Sequence, residues 1–88
     1  MMKMIILIVK DSDADTITQA LTAEKYRVTR VASTGGFLRS GRVTLFIGVR
    51  DERAELVQEL IRSKLPPLPS GEKRATWFVI PVERFEQV

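Results

Sequence analysis

Eighty-eight residues make one domain with no room for a second. A chain of this length hides only a little over ~60% of its unfolded surface on folding, near the size where association adds stability. Hydrophobic residues at 44% and charged residues at 28% are the balance of a globular protein, which excludes a disordered or collagen-like chain. Cysteine is absent, and with it any disulfide, thiol nucleophile or cysteinyl metal site. Histidine is absent too, which removes the commonest general base and the commonest metal ligand together and argues against most hydrolase and metalloenzyme mechanisms.

The net charge of +3 is unevenly spread. Lys25 to Arg50 carries six basic residues and no acidic one, whereas the remainder holds eight basic and all eleven acidic residues, a balance of −3. A basic segment of this kind attracts anionic partners, although a merely solvated cationic face has the same composition.

Met4 to Val9 is apolar but far too short to cross a bilayer, and Lys10-Asp11-Ser12-Asp13 follows it where a secretory leader would have a small-residue cleavage site. The expectation is a buried strand over Lys3–Val9, covered on both faces, in a cytoplasmic protein without a membrane anchor. Ser12-Asp13-Ala14-Asp15 offers helix-start chemistry, with Ser12 as the cap and Asp13 and Asp15 near the positive end of the dipole. Ala14, Ile17 and Leu21, with Ala20, make the apolar stripe of a helix ending near Lys25.

Tyr26 to Ser33 is rich in β-branched residues and predicts a second strand, with Tyr26/Val28/Arg30/Ala32 on one face and an unusually polar Arg27/Thr29/Val31/Ser33 on the other. Thr34-Gly35-Gly36 ends it, and a loop runs to about Arg42. Val43–Val49 is a third strand, apolar on both faces and interrupted by Gly48. Asp51 serves as N-cap of a second helix whose Leu56, Val57, Leu60, Ile61 and Leu65 recur at helical spacing. Pro66-Pro67-Leu68-Pro69-Ser70-Gly71 stops that helix, Ala75–Val82 is the last strand, and a short tail follows. No internal repeat stands out.

The order βαββαβ predicts an α+β, ferredoxin-like domain spanning residues 1–88: a four-stranded antiparallel sheet with two helices on one face. Because the strands are apolar on both sides, the face without helices calls for a partner, and an oligomer is expected.

Chemistry concentrates in Ser33-Thr34-Gly35-Gly36-Phe37-Leu38-Arg39-Ser40-Gly41-Arg42. Glycines let backbone N–H groups converge on an anion, Phe37 offers a face for a base, and Arg39 and Arg42 can balance phosphate. The alternative is a loop whose glycines make turns and whose Phe37 and Leu38 fill a subunit contact. Gly36 and Gly41 have P-loop spacing, but Arg42-Val43 stands where Lys-Ser/Thr is required and a strand follows instead of a helix. There is no G-x-G-x-x-G either, so neither a Walker nor a Rossmann site is present. Asp11, Asp13 and Asp15 are simply caps and dipole partners, since nothing supplies the glycine turn and terminal Glu of a calcium loop.

Several strings together resemble the PII-like cyclic di-AMP receptor family. They are Lys3-Met4-Ile5-Ile6, the Asp11-Ser12-Asp13 turn, Tyr26-Arg27-Val28-Thr29-Arg30, Thr34-Gly35-Gly36-Phe37-Leu38-Arg39-Ser40-Gly41, Ile47-Gly48-Val49, Ala75–Val82 and Gln87. The resemblance implies a homotrimeric signal-transduction protein, not an enzyme, that takes cyclic di-AMP in clefts between subunits, needs no cofactor or metal, and passes the signal to a downstream protein. It assigns Arg27 and Thr29 to the cleft wall, Gly35, Gly36, Phe37 and Leu38 to an adenine, the backbone at Gly48 to a base edge, and Phe78 and Gln87 to the closing side. Arg42 stands where family members commonly have Asn; having no acceptor, it cannot read an adenine edge with two bonds and suits a phosphate or a stack instead. Lys25 also replaces a frequent Asn, and the Leu65–Arg74 connection is shorter than is typical of the family. A PII-like binder of ATP or ADP is the alternative ligand reading. An RNA-binding module of the same strand order is disfavoured, because Val43–Val49 lacks the aromatic stacking signature.

Overall fold

A computed structural model describes residues 1–31 and 41–88. The elements are β1 (Met2–Lys10), α1 (Asp11–Ala23), β2 (Val28–Val31), β3 (Arg42–Arg50), α2 (Asp51–Lys64) and β4 (Ala75–Val82). All strand pairs are antiparallel and the sheet order is β2-β3-β1-β4, the ferredoxin-like arrangement expected from the element order.

Strand alternation divides the sheet into two unlike faces. Ile5, Leu7 and Val9 of β1 and Val43, Leu45, Ile47 and Val49 of β3 point to the helices and are buried. They pack with Ala14, Ile17 and Leu21 of α1 and Ala54, Val57 and Ile61 of α2 as one core. The intervening positions, among them Met4, Ile6, Ile8, Thr44 and Phe46, lie on the face without helices and are buried only in part or not at all. β1 is therefore covered on one side within the chain, not on both. Leu56, expected in the α2 stripe, is 54% exposed, because it falls off the arc set by Ala54, Val57 and Ile61.

Although no repeat is visible in the sequence, the fold repeats a unit at an offset of forty residues. The buried positions Ile5, Leu7, Val9, Ala14, Ile17 and Leu21 recur as Leu45, Ile47, Val49, Ala54, Val57 and Ile61. Each unit runs from strand into helix without a linker, at Lys10-Asp11 and at Arg50-Asp51. The first helical N–H is satisfied reciprocally across the sheet: Asp11 donates to the Gly41 carbonyl at 2.9 Å and Asp51 to the Met1 carbonyl at 3.1 Å. Those bonds satisfy one orphan donor of each helix, the N–H of its first residue. Lys10 and Arg50 occupy the cap positions with extended backbone, neither makes a side-chain cap bond, and Ser12 and Asp51 lie inside the helices.

Helix α1 ends at Ala23 in a Schellman turn, with Lys25 N–H donating to Thr22 O at 2.9 Å and Tyr26 N–H to Leu21 O at 3.0 Å. Lys25 takes φ 67 in this turn, a left-handed position usually filled by glycine, at a cost of roughly 1–2 kcal/mol. Strand β2 accordingly begins at Val28, two residues later than Tyr26; Ala32 and Ser33, its expected end, lie outside the described residues.

Candidate functional site

The face without helices is built from rows that cross the sheet. The register places Thr29 of β2 opposite Phe46, Phe46 opposite Ile6, and Ile6 opposite Phe78 of β4. The next row runs Gly48, Met4, Ile80 and the previous one Val31, Thr44, Ile8, Thr76. Large apolar groups on this face are open to solvent, with Phe78 at 55%, Ile80 at 43% and Phe46 at 37% exposed.

Toward one end of the face, Met2, Met4, Arg27, Thr29, Phe46, Gly48, Val82 and Phe85 line a cavity of about 320 Å³. Its walls are mostly apolar, with a guanidinium and a hydroxyl at one side, the composition of a site for a flat, partly charged ligand. Arg27 and Thr29 are together here because they belong to the polar side of the β2 segment, which turns away from the core. Arg30 has the other parity and faces α1, where it donates to Asp15 Oδ1 at 2.9 Å and Asp11 Oδ1 at 3.2 Å. The hydrogen bond to Asp15 is the main cause that raises the Arg30 guanidinium above its usual value. Of these two arginines in the basic segment, Arg30 is structural and Arg27 faces the cavity.

Gly48 forms part of the cavity wall. A Cβ built there would meet only the Met2 Cε, at 3.5 Å, an ordinary contact with a flexible side chain. Neither the backbone nor the packing within this chain demands glycine at 48, and the missing side chain leaves the space in front of it open.

Arg42 and Phe78 lie elsewhere. With Ile8, Glu72, Lys73 and Thr76 they line a separate cavity of about 430 Å³. Arg42 is six residues from Gly48 along β3, about 20 Å at the usual rise per residue. Its guanidinium lies 3.5 Å from the Lys73 carbonyl, at the limit of a hydrogen bond. Phe78, more often a core residue in such a strand, sits on the opposite edge of the sheet from Thr29. Gln87 is exposed in the tail beyond β4, whereas Phe85, two residues earlier, reaches the first cavity. Gly35, Gly36, Phe37 and Leu38 lie outside the described residues. The fold thus brings Arg27, Thr29 and Gly48 together, and separately Arg42 and Phe78.

Sequence reasoning missed Phe46, Met4 and Phe85 as cavity residues. The signal for Phe46 was its parity with Thr44 and Gly48 on β3, against the buried Val43, Leu45, Ile47 and Val49.

Two ties hold the neighbouring elements. Arg74 donates to both oxygens of the buried Asp13, at 3.0 and 3.2 Å, and to the Pro66 carbonyl at 3.0 Å, pinning the connection before β4 to the first turn of α1. The Asp13 hydrogen bond raises the Arg74 guanidinium above its ordinary value. Trp77 Nε1 donates to Gln58 Oε1 at 3.1 Å, and the Arg62 guanidinium lies 5.5 Å from the Trp77 ring centre, so β4 is fastened to α2.

No group of acidic side chains able to hold a metal ion occurs among the described residues, and no helix among them is long and apolar enough to cross a membrane. A protein of unknown function from Pediococcus pentosaceus, known from its crystal structure, is 32% identical to this chain; the match covers 99% of this sequence and 97% of that one, with a TM-score of 0.76. The sequence model of the cyclic-di-AMP receptor family matches residues 2–66, and with that match the chain belongs to the cyclic-di-AMP receptor family.

Proposed function

We propose that this protein is a single-domain cytoplasmic receptor that binds cyclic di-AMP in clefts between the subunits of a homotrimer and relays binding to a protein partner, without catalysing a reaction. The observation that carries this reading is the split of the expected site residues over the open face. Arg27, Thr29 and Gly48 line one cavity and Arg42 and Phe78 another, with Arg42 six residues from Gly48 along β3 and Phe78 across the sheet from Thr29. A second copy laid on the exposed apolar face brings one cluster beside the complementary cluster of its neighbour, and it also covers Phe46, Phe78 and Ile80. Family membership supports the ligand.

In this reading Arg27 forks onto a phosphate and Thr29 donates to it. One base lies over Phe46 and the open backbone at Gly48, while Gly35, Gly36, Phe37 and Leu38 enclose the other side, and Phe37 stacks on a purine for about 1–3 kcal/mol. Phe78, Arg42 and Gln87 close the pocket from the neighbouring copy. Ligand that prefers one arrangement of the segment from Thr34 to Arg42 shifts its population, and the changed surface alters a partner's affinity. A second reading, ATP or ADP in the same cleft, is favoured by one feature: Arg42, with donors only, suits a phosphate better than a base edge.

Isothermal titration calorimetry with cyclic di-AMP tests the proposal. Saturation near one ligand per subunit, lost in Arg27→Ala and Thr29→Ala, is the expected result. A flat trace with folded protein, alongside saturable binding of ATP, establishes the second reading instead.

A further inference from the structure

The connection from α2 to β4 carries Pro66-Pro67-Leu68-Pro69, and neither the core nor the two cavities described above use these residues. One proline is enough to stop α2, and Leu65, just before Pro66, has already left the helix at φ −127 and ψ 66. The other two need another reason. Proline fixes its own φ at about −65° and drives the residue before it out of the helical region. Pro66 and Leu68, each followed by proline, are therefore extended, and Pro67 between them has its φ fixed. The run is held to a single turn of polyproline II helix, which at about three residues per turn puts Pro66 and Pro69 on one edge. The contacts agree: Pro67 and Leu68 line a groove of about 460 Å³ beside Arg62 and Trp77, whereas Pro66 and Pro69 stand outside it and are exposed. Both ends of the turn are pinned. Arg74, which grips both oxygens of the buried Asp13, donates to the Pro66 carbonyl at 3.0 Å. Gly71 N–H donates to the Leu68 carbonyl at 3.1 Å, closing a β-turn in which Pro69 has the position that proline favours.

We propose that Pro66–Pro69 is a recognition segment, docked by a protein domain whose groove is lined with aromatic side chains. Grooves of that kind take P-x-x-P segments: prolines one turn apart fill slots between the rings, and a segment already in the bound conformation loses little entropy on docking. Here the chain adds to what the prolines do alone. The Asp13–Arg74 pair fixes where the turn stands on the surface, and preorganisation of that kind raises affinity by lowering the cost of ordering. Lys64, exposed and in no ion pair among the described residues, flanks the prolines and supplies a cation for a carboxylate at the rim of the groove. The segment shares no residue with the cavity of Arg27, Thr29 and Gly48, so the proposal stands independently of which nucleotide binds there.

NMR titration of isotopically labelled protein, free of nucleotide, with two isolated polyproline-binding domains tests this, one of the SH3 class and one of the WW class. Saturable shifts are expected with at least one of them at the amides of Leu65, Leu68, Ser70 and Gly71, while those of Thr29 and Gly48 stay unchanged. Pro66→Ala/Pro69→Ala should weaken that binding by about tenfold or more. Asp13→Asn keeps every proline but loosens the pin, and should weaken it by about threefold, toward the affinity of a synthetic peptide of residues 64–71. Urea midpoints for each variant confirm that the fold persists. Absence of shifts with both domains at about 1 mM overturns the proposal, as does undiminished binding by the double alanine variant. A fall in the sedimenting mass of that variant without added domain overturns it too, because the segment then belongs to a contact between copies of this chain.

Discussion

The two faces of the one sheet are made from interleaved residues of the same strands, yet they are solved differently. On the helix side Ile5, Leu7, Leu45 and Ile47 are fully buried against α1 and α2. On the other side Ile6, Phe46, Phe78 and Ile80 are equally apolar, and three of the four are more than a third exposed. The covered face is a problem this chain solves by itself. The open face is a half-solution, and residues with polar or absent side chains, Arg27, Thr29 and Gly48, are set into it where a core would not accept them. Apolar surface that the chain leaves in water, with such groups embedded, marks a binding face.

The largest effect expected from this contrast is on the covered side. Leu45→Ala removes a fully buried side chain at the centre of the sheet and should lower unfolding free energy by about 2–5 kcal/mol, read from urea denaturation. A loss below about 1 kcal/mol would mean that the helices do not pack on the sheet through this core. Ile80→Lys sharpens the comparison from the open side. At 43% exposed on an edge strand, it should change the stability of an isolated subunit by no more than about 0.5 kcal/mol. It should nevertheless reduce the mass seen in sedimentation velocity, because a lysine in a subunit contact is desolvated. A wild-type protein that sediments as a monomer would show that a second copy does not cover this face. The smallest effect on stability belongs to Gly48→Ala, where a methyl has room and a strand prefers alanine to glycine. A neutral or slightly raised melting temperature, together with weakened cyclic di-AMP binding, is the expected pair of results; unchanged binding would remove the backbone at 48 from the site.

Much of the fold is legible in the order of the residues. The strands and helices follow from period-2 and period-3.6 patterns, and β4 spans Ala75–Val82 as its apolar run predicts. The polar parity of Arg27 and Thr29 is visible as a strand face with no core explanation. The cap chemistry misleads, because Ser12 and Asp51 look like caps by residue type, whereas the first N–H of each helix donates to a backbone carbonyl, that of Gly41 or Met1. Those carbonyls are thirty and fifty residues away along the chain, and local pattern does not encode such a pairing. The forty-residue repeat stays hidden for a related reason: it conserves burial and direction, and any aliphatic residue satisfies those.

The sequence by itself determined the element order, the fold class, the basic stretch from Lys25 to Arg50 and the residue types fit to hold a nucleotide, since all of these depend on composition and short-range periodicity. Tertiary structure alone decided which cations are spoken for. Arg30 and Arg74 are tied to carboxylates of α1, while Lys25, Arg27, Arg50 and Arg53, from both βα units, line one groove. It also decided that Arg27 and Phe78 stand at opposite edges of one face. The reason is geometric: alternation along a strand assigns a side chain to a face, but only the register between strands sets its neighbours on that face.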